Sequence, residues 1–274
     1  MLTDQQILDN WYAEIYDQCV TETEDIECLL RTLGPKPLRV LEAACGTGRI
    51  LVPLAKAGHD AVGFDMNESM LARIEAKANG LAPFVHEGGG RRPGGAIAWS
   101  LKNALEEPWG EGFDAVVMAG NVLFNIETEG DYMEAQKLFL RRAYEALKPG
   151  GHIYLDFDHH PHPTKMFGPM KKDLVIFEGT DSAGTYGTYS IPAGCGYDRR
   201  NKIAFGSRRT RVVTKDGRQF EKAWVSRKRV IDLKQVLGWL EETGFAVEQL
   251  WGDHQGRPAR RKTGHAVIWA GKIS

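Results

Sequence analysis

Residues 38–48, Leu-Arg-Val-Leu-Glu-Ala-Ala-Cys-Gly-Thr-Gly, decide the fold. A short apolar run reaches an acidic residue, Glu42, and passes at once into a tight glycine turn. Such a run reads as a buried parallel strand that delivers its carboxyl end to a loop. There Gly46 and Gly48 let the backbone bend sharply and come close to a ligand. A helix over about residues 49–57 follows, its first amides turned toward the same crevice. This is the entrance to a nucleotide-type site in an open α/β sheet.

Two other glycine loops are excluded. The P-loop requires Gly-x-x-x-x-Gly-Lys-Ser/Thr, and neither Lys-Ser nor Lys-Thr follows these glycines. The dinucleotide fingerprint requires a third glycine, and that position is Leu51. Two glycines beside a carboxylate suit a ligand that carries an ammonium group and a ribose. The next strand, Ala61-Val62-Gly63-Phe64-Asp65, ends in a second carboxylate, and Asn67 starts a helix predicted over Glu68–Ala78. If the two strands are neighbours, Asp65 stands beside the glycine turn and can accept both ribose hydroxyl hydrogens. Ending a strand and helping to cap a helix is the plainer role. With the glycine turn roughly 20 residues upstream, the ribose role is preferred.

Leu41-Glu42-Ala43-Ala44-Cys45-Gly46-Thr47-Gly48 followed by Val62-Gly63-Phe64-Asp65-Met66-Asn67 resembles the class I S-adenosylmethionine-dependent methyltransferases. Residues 113–121, Phe-Asp-Ala-Val-Val-Met-Ala-Gly-Asn, resemble the fourth strand of that fold. Residues 147–156, Leu-Lys-Pro-Gly-Gly-His-Ile-Tyr-Leu-Asp, resemble the turn into its fifth. The resemblance covers about two-thirds of the chain and implies an α/β fold with a seven-stranded, Rossmann-like sheet. S-adenosylmethionine, converted to S-adenosylhomocysteine, would lie across the ends of the first, second and fourth strands. The cofactor contacts so implied are Tyr16, Glu42, Ala44, Gly46, Gly48, Asp65, Met66, Asn103, Ala104 and Ala119. Asn103 would meet the adenine edge, since an amide offers both donor and acceptor. Tyr12 and Tyr16 either fold over the methionine end or form an amphipathic core face with Trp11 and Ile15.

The composition agrees. A chain of 274 residues accommodates one large α/β domain and an insertion. With a net charge of −1 and a pI near 6.7, nothing global argues for nucleic acid or an anionic membrane as partner. No apolar run reaches the length of a membrane span, and the N-terminus lacks a signal-peptide core. Cys19, Cys28, Cys45 and Cys195 form no Cys-x-x-Cys pair, which fits reduced thiols in a cytoplasmic protein.

The predicted organisation is an N-terminal helical cap (1–34), a cofactor-binding domain (35–165 and 231–274) and an antiparallel β insertion (166–230). A flexible loop is expected at 86–95, strands at 96–101, 113–119 and 151–157, and a helix near 129–147. Within the insertion, strands are expected at 173–178, 185–191, 203–213 and 219–230, with Asp216-Gly217 as the hairpin turn between the last two. A helix at 232–243 and a strand pair, 246–251 and 265–272, complete the main sheet.

An insertion after the fifth strand is similar to that of glycine N-methyltransferase and the glycine-sarcosine N-methyltransferases. Asn103-Ala104, the segment Gly120-Asn121, the run Asp156–His160 and Trp251-Gly252-Asp253-His254 resemble the corresponding segments of that subgroup. The resemblance implies a small polar acceptor methylated at an amine nitrogen by in-line displacement, and a homo-oligomer. Asn121 and the pair His159 and His160 are the catalytic candidates, for acceptor positioning or as a general base. At the position of an arginine that grips the acceptor carboxylate in that subgroup, this chain has His160. Histidine cannot reproduce the planar, permanently charged fork. Arg199, Arg200, Arg208 and Arg257 are available as substitutes. A metal shell from Asp156, Asp158, His159, His160 and His162 ranks last, because of the short spacing and two prolines, so no metal is expected.

Arg208, Arg209, Arg211, Arg227, Lys228, Arg229, Arg260, Arg261 and Lys262 read first as a solvated face or subunit contact, and second as a phosphate-binding stripe. The alternatives to small-molecule N-methylation are therefore O-methylation, tRNA or RNA methylation, and a regulator that binds the cofactor without transfer.

Overall fold

The computed structural model describes residues 2–83, 95–260 and 263–273. Helix α1 (Asp4–Cys19) begins on a reciprocal cap in which Thr3 Oγ1 accepts from the Gln6 amide and Gln6 Oε1 accepts from the Thr3 amide. Helix α2 (Glu24–Leu33) carries Glu24, Asp25 and Glu27 in its first turn and stops at Gly34. The chain then alternates: β1 (Arg39–Ala43), α3 (Leu51–Lys56), β2 (Asp60–Asp65), α4 (Glu68–Leu71), α5 (Ile74–Lys77), β3 (Ala82–Pro83) and β4 (Ala96–Leu101). After these come β5 (Phe113–Met118), α6 (Val122–Asn125), α7 (Tyr132–Ala146) and β6 (Leu147–Asp158). A short α8 (Pro163–Met166) leads into β7 (Leu174–Thr180), β8 (Tyr186–Ile191), β9 (Gly196–Asp198), β10 (Ile203–Val213) and β11 (Gln219–Arg229). Then α9 (Leu233–Thr243), β12 (Phe245–Trp251) and β13 (His265–Lys272) close the chain.

The main sheet has the order β12-β13-β6-β5-β1-β2-β4-β3. Neighbours from β6 to β3 are parallel, and β13 runs antiparallel to both β6 and β12. The seven expected strands are present, and the two-residue β3 extends one edge. Both faces are covered, which is why the parallel strands read as unbroken apolar runs. In β5, Val116 and Met118 join a core with α7 and α9, while Ala115 and Val117 join a core with α2 and α3. Because β1 lies between β2 and β5, the connections leave it in opposite directions. A crevice therefore opens at the carboxyl ends of these three strands.

The chain divides into two units: Met1–Thr21 with His162–Val230, and Glu22–Pro161 with Ile231–Ser274. The cap read as a single piece, 1–34, is thus divided. Leu8, Trp11 and Ile15 of α1 pack with Val212 of the insertion, and Trp11 Nε1 donates to the Gly179 carbonyl at 3.2 Å. Ile26, Cys28, Leu29 and Leu33 of α2 belong to a core of the main sheet. Both helices have an apolar stripe, but nothing local tells which sheet each stripe meets.

The insertion is a separate antiparallel sheet, β11-β10-β8-β7, with β9 also paired to β10. The β10–β11 ladder runs from Ile203↔Arg229 to Val213↔Gln219, and Gly217 turns the hairpin at φ 85°. Two predicted helices are shorter than expected. Residues 46–50 remain a turn, so the 49–57 helix reduces to α3. The 68–78 helix breaks into α4 and α5, where the Arg73 amide closes on the Met70 carbonyl. Of the expected loop at 86–95, only Gly95 is among the described residues. No helix among the described residues is long and apolar enough to cross a membrane, and all four cysteines are free thiols.

Candidate active site

The strand β1 ends in Glu42 and Ala43, and the backbone then turns through Ala44 at φ 58°, Gly46 at φ 53° and Gly48 at φ 75°. An alanine in the left-handed region costs of the order of 1–3 kcal/mol, a strain tolerated where surrounding structure fixes it. At Gly48 a Cβ atom would also approach Ile74 Cγ1 to 3.0 Å. Gly63 of β2 has a different reason to be glycine: a Cβ there would lie 2.7 Å from Leu51 Cδ2 and 2.8 Å from Cys45 Sγ. The loop is therefore pressed onto β2 with no room between.

Asp65 ties these parts together. Its Oδ2 accepts the Gly46 amide at 2.9 Å and its Oδ1 accepts the Asn67 amide at 2.8 Å. Each oxygen keeps a further lone pair. Burial pushes this carboxyl above the ordinary range, against the pull of those backbone donors. The cap of α4 comes from Asn67, whose Oδ1 accepts from Met70, so that task does not fall to Asp65. Met66 beside it is exposed.

Glu42 is buried, and its Oε2 has no hydrogen-bond partner within the protein. Burial pushes its pKa up to about 8, with Arg49 pulling the other way and Asp65 and Asp25 adding to the rise. Arg49 is itself paired with Asp25, Nη1 to Oδ1 at 2.9 Å, and donates to the Glu22 carbonyl. Burial of Asp25 opposes ionisation, but the guanidinium outweighs it and holds that carboxyl below the usual range. The Leu51 amide bonds to this carboxyl, and a buried group with one oxygen still unpartnered beside the turn suits a cationic group on a ligand, which would favour its ionised form. Together with the paired acceptors of Asp65, it fits the ammonium and ribose of S-adenosylmethionine.

The remaining candidates are distributed as follows. Asn103 Oδ1 accepts the Leu105 amide at 3.0 Å, and the Ala104 carbonyl accepts from Trp109 Nε1. Ala119 packs at the edge of the core just beyond β5. Tyr16 lies in the other unit, edge-on to Phe177, and Tyr12 packs edge-on against Phe177 and Tyr189.

Asn121 adopts the left-handed conformation at φ 65° and heads α6 without capping it. Its Nδ2 donates to Asp158 Oδ2 at 2.9 Å, and its Oδ1 accepts the Asp158 amide at 2.6 Å. The side chain is thus a strap between the ends of β5 and β6. His159 is buried, with Nε2 lacking a hydrogen-bond partner, and its amide donates to Gly264. His160 is half-buried, its ring edge-on to Phe124 at 5.9 Å. Burial lowers the pKa of both rings, and the neighbouring His160 and His265 lower that of His159 further.

The carboxylates at the end of β6 meet histidines that the spacing of 156–162 does not contain. His254 Nε2 lies 2.7 Å from Asp156 Oδ2, and His265 Nδ1 lies 2.9 Å from Asp158 Oδ1. They are 98 and 107 residues apart in sequence, so only the strand order could have joined them. Arg257, one of the available carboxylate-binding arginines, is already held by Asp253 at 2.5 Å and by Gln255.

Comparison with known proteins agrees with this geometry. A family profile described as a methyltransferase domain matches residues 40–151. The methyltransferase-like protein YqeM of Bacillus subtilis is 30% identical over 189 residues, covering 62% of this chain and 67% of that protein. Rat glycine N-methyltransferase is 28% identical over 132 residues, only 45% of this chain and 41% of that enzyme. Among solved structures, the CcbJ methyltransferase from Streptomyces caelestis superposes with a TM-score of 0.69 at 18% identity, over 97% of this chain and 98% of that one. The sugar N-methyltransferase KedS8 from Streptoalloteichus gives 0.66 at 16%, over 96% and 93%. The glycine turn, the two strand-end carboxylates, the switch in strand order and these likenesses place the chain in the class I S-adenosylmethionine-dependent methyltransferases.

Proposed function

We propose that this methyltransferase transfers the methyl group to the nitrogen of a small hydroxylated amine lacking a carboxylate, of the amino-sugar class. The observation that carries the reading is His160, half-buried against Phe124 and kept uncharged by burial. It stands where the glycine N-methyltransferase resemblance has a carboxylate-gripping arginine. An uncharged ring neither attracts an anion nor repels an amine, so it suits an amine that is already neutral when it reacts. Arg257 is engaged elsewhere. The likeness to KedS8, which extends through the insertion, supports the same class.

When bound, S-adenosylmethionine supplies an already activated methyl group. The protein's task is then to align the acceptor and exclude water. Glu42 would hold the ammonium, Asp65 the ribose hydroxyls, and Asn103 with Ala104 the adenine edge. Asn121 fixes the rim of the acceptor side through Asp158. His160, the less buried of the two adjacent histidines, would contact the acceptor.

The test is a transfer assay that follows S-adenosylhomocysteine release over glycine, sarcosine, other amino acids, free amino sugars, small amines, phenols and tRNA. Turnover on carboxylate-free amines is expected. Turnover confined to glycine, to a hydroxyl acceptor or to tRNA overturns the reading. With the best acceptor, His160→Ala should raise KM about tenfold or more and leave cofactor affinity unchanged, the pattern of a lost binding contact. A weakened cofactor and an unchanged KM would move His160 out of the acceptor site.

Glu42 gives a pH prediction whose sign follows from linkage. The free protein holds this carboxyl protonated below about pH 8. A cationic ligand favours the ionised form, so binding releases a proton there, and affinity rises with pH until the free carboxyl is itself ionised. S-adenosylhomocysteine titrations should show affinity increasing several-fold from about pH 6 to about pH 8, by the same linkage. Glu42→Gln should abolish that slope; a slope that persists in this variant refutes the assignment.

A further inference from the structure

We propose that Asp156, His254 and His265 bind one divalent transition-metal ion of the zinc class. Their ligand atoms all lie within 4.8 Å of one another. Two imidazole nitrogens and one carboxylate form a recurrent donor set for such ions, with positions left open for water or a substrate group. Asp156 sits near the end of β6, opposite Val267 of β13, while His265 opens β13 opposite Asp158. His254 follows β12, and its carbonyl accepts from Arg31 at 2.7 Å. Two adjacent strands and an anchored turn thus hold all three.

The tautomer of His265 argues beyond proximity. Its Nδ1 lies 2.9 Å from Asp158 Oδ1, and a carboxylate only accepts, so this nitrogen carries the hydrogen. In the neutral ring the lone pair is then on Nε2. That atom is buried, has no hydrogen-bond partner, and lies 3.4 Å from Asp156 Oδ1. A carboxylate behind a histidine whose far nitrogen points at a further ligand is the outer-shell arrangement of metal sites.

The two separations to Asp156 lie near those of a zinc site, and that between the two histidines is at most 4.8 Å. Ligand atoms at ordinary zinc distances on a tetrahedron are about 3.3 Å apart. The His265–Asp156 separation is 3.4 Å, and the His254–Asp156 separation of 2.7 Å lengthens if an ion replaces the proton between them. The Asp156 side chain is 6% exposed and those of His254 and His265 are 24% and 22%, so the cluster is largely shielded and still reached by solvent. Asp25 and Asp253 add negative charge around His254. Asp158 is shared with Asn121, so the site is joined by hydrogen bonds to the acceptor rim.

The experiment is calorimetric titration of chelator-stripped protein with Zn²⁺, with bound metal counted by mass spectrometry. One ion per chain is expected. His254→Gln and His265→Gln should each weaken binding by about a hundredfold or more, and Asp158→Asn by about tenfold through the loosened His265 ring. His152→Gln, whose ring is stacked on Trp269 outside the cluster, should bind as the parent does. Failure to saturate at one equivalent, or equal affinity in parent and both glutamine variants, overturns the proposal. If those variants do not fold, the Co²⁺-loaded parent decides. Paramagnetically shifted protons from two imidazole rings support the site, and their absence overturns it. None of these readouts depends on the methyl acceptor.

Discussion

Replacing Asp65 by alanine is expected to lower affinity for S-adenosylhomocysteine by about a hundredfold, close to 2.7 kcal/mol. Two losses combine. The ribose loses two charged acceptors, each worth about 1.5–3 kcal/mol before partial compensation by water. The loop loses its tie, because the Gly46 amide at 2.9 Å and the Asn67 amide at 2.8 Å no longer have a common partner. Asp65→Asn separates the two effects. Its remaining carbonyl can hold one backbone amide but not two amides and two hydroxyls, so affinity should fall between parent and alanine variant. Isothermal titration measures both. Unchanged affinity in Asp65→Ala removes the ribose assignment, whereas a stability loss with intact affinity makes Asp65 a loop tie alone.

The largest effect on stability is expected from Trp11→Ala, about 3–5 kcal/mol, the range for truncating a buried aromatic ring. Trp11 is fully buried, and its indole donates to the Gly179 carbonyl of β7. Its ring also fills the space beside Gly187, where a Cβ would come within 2.7 Å of Trp11 Cε2. Truncation leaves both a cavity and an unpaired carbonyl. Urea unfolding followed by circular dichroism should show a lower midpoint, with Trp11→Phe intermediate because it restores volume but not the donor. A shift below about 1 kcal/mol would mean that α1 is dispensable to its sheet.

The strand and turn that carry the candidate cofactor residues were legible because their signals are local. The β1 run, the two glycines and Asp65 lie within 30 residues, and each has a chemistry that position alone suggests. The strands of the insertion were legible for the same reason, with Asp216-Gly217 turning the hairpin as expected. The split between α4 and α5 was not, because Met70-Leu71-Ala72-Arg73-Ile74 consists of helix-compatible residues and the break comes from a turn closed on the Met70 carbonyl. For Asn121 the sequence offers acceptor positioning, whereas its left-handed backbone and its reciprocal bonds to Asp158 depend on β5 lying beside β6. The partners of Asp156 and Asp158 were beyond reach for a similar reason. Neighbouring histidines 159, 160 and 162 drew the eye, while strand pairing delivered 254 and 265.

The division of the chain has a consequence for biosynthesis. The carbonyl that Trp11 binds is 168 residues downstream of it. At ordinary elongation rates of about 5–20 residues per second, that segment arrives roughly 10–30 s later. Through that interval Leu8, Trp11 and Ile15 form an apolar stripe whose sheet does not yet exist. The Glu22–Pro161 segment has meanwhile emerged with most of its strands, and only β12 and β13 are still to come. Helix α1 is thus made well before the sheet against which its apolar stripe packs, and it must wait for that sheet to find its place.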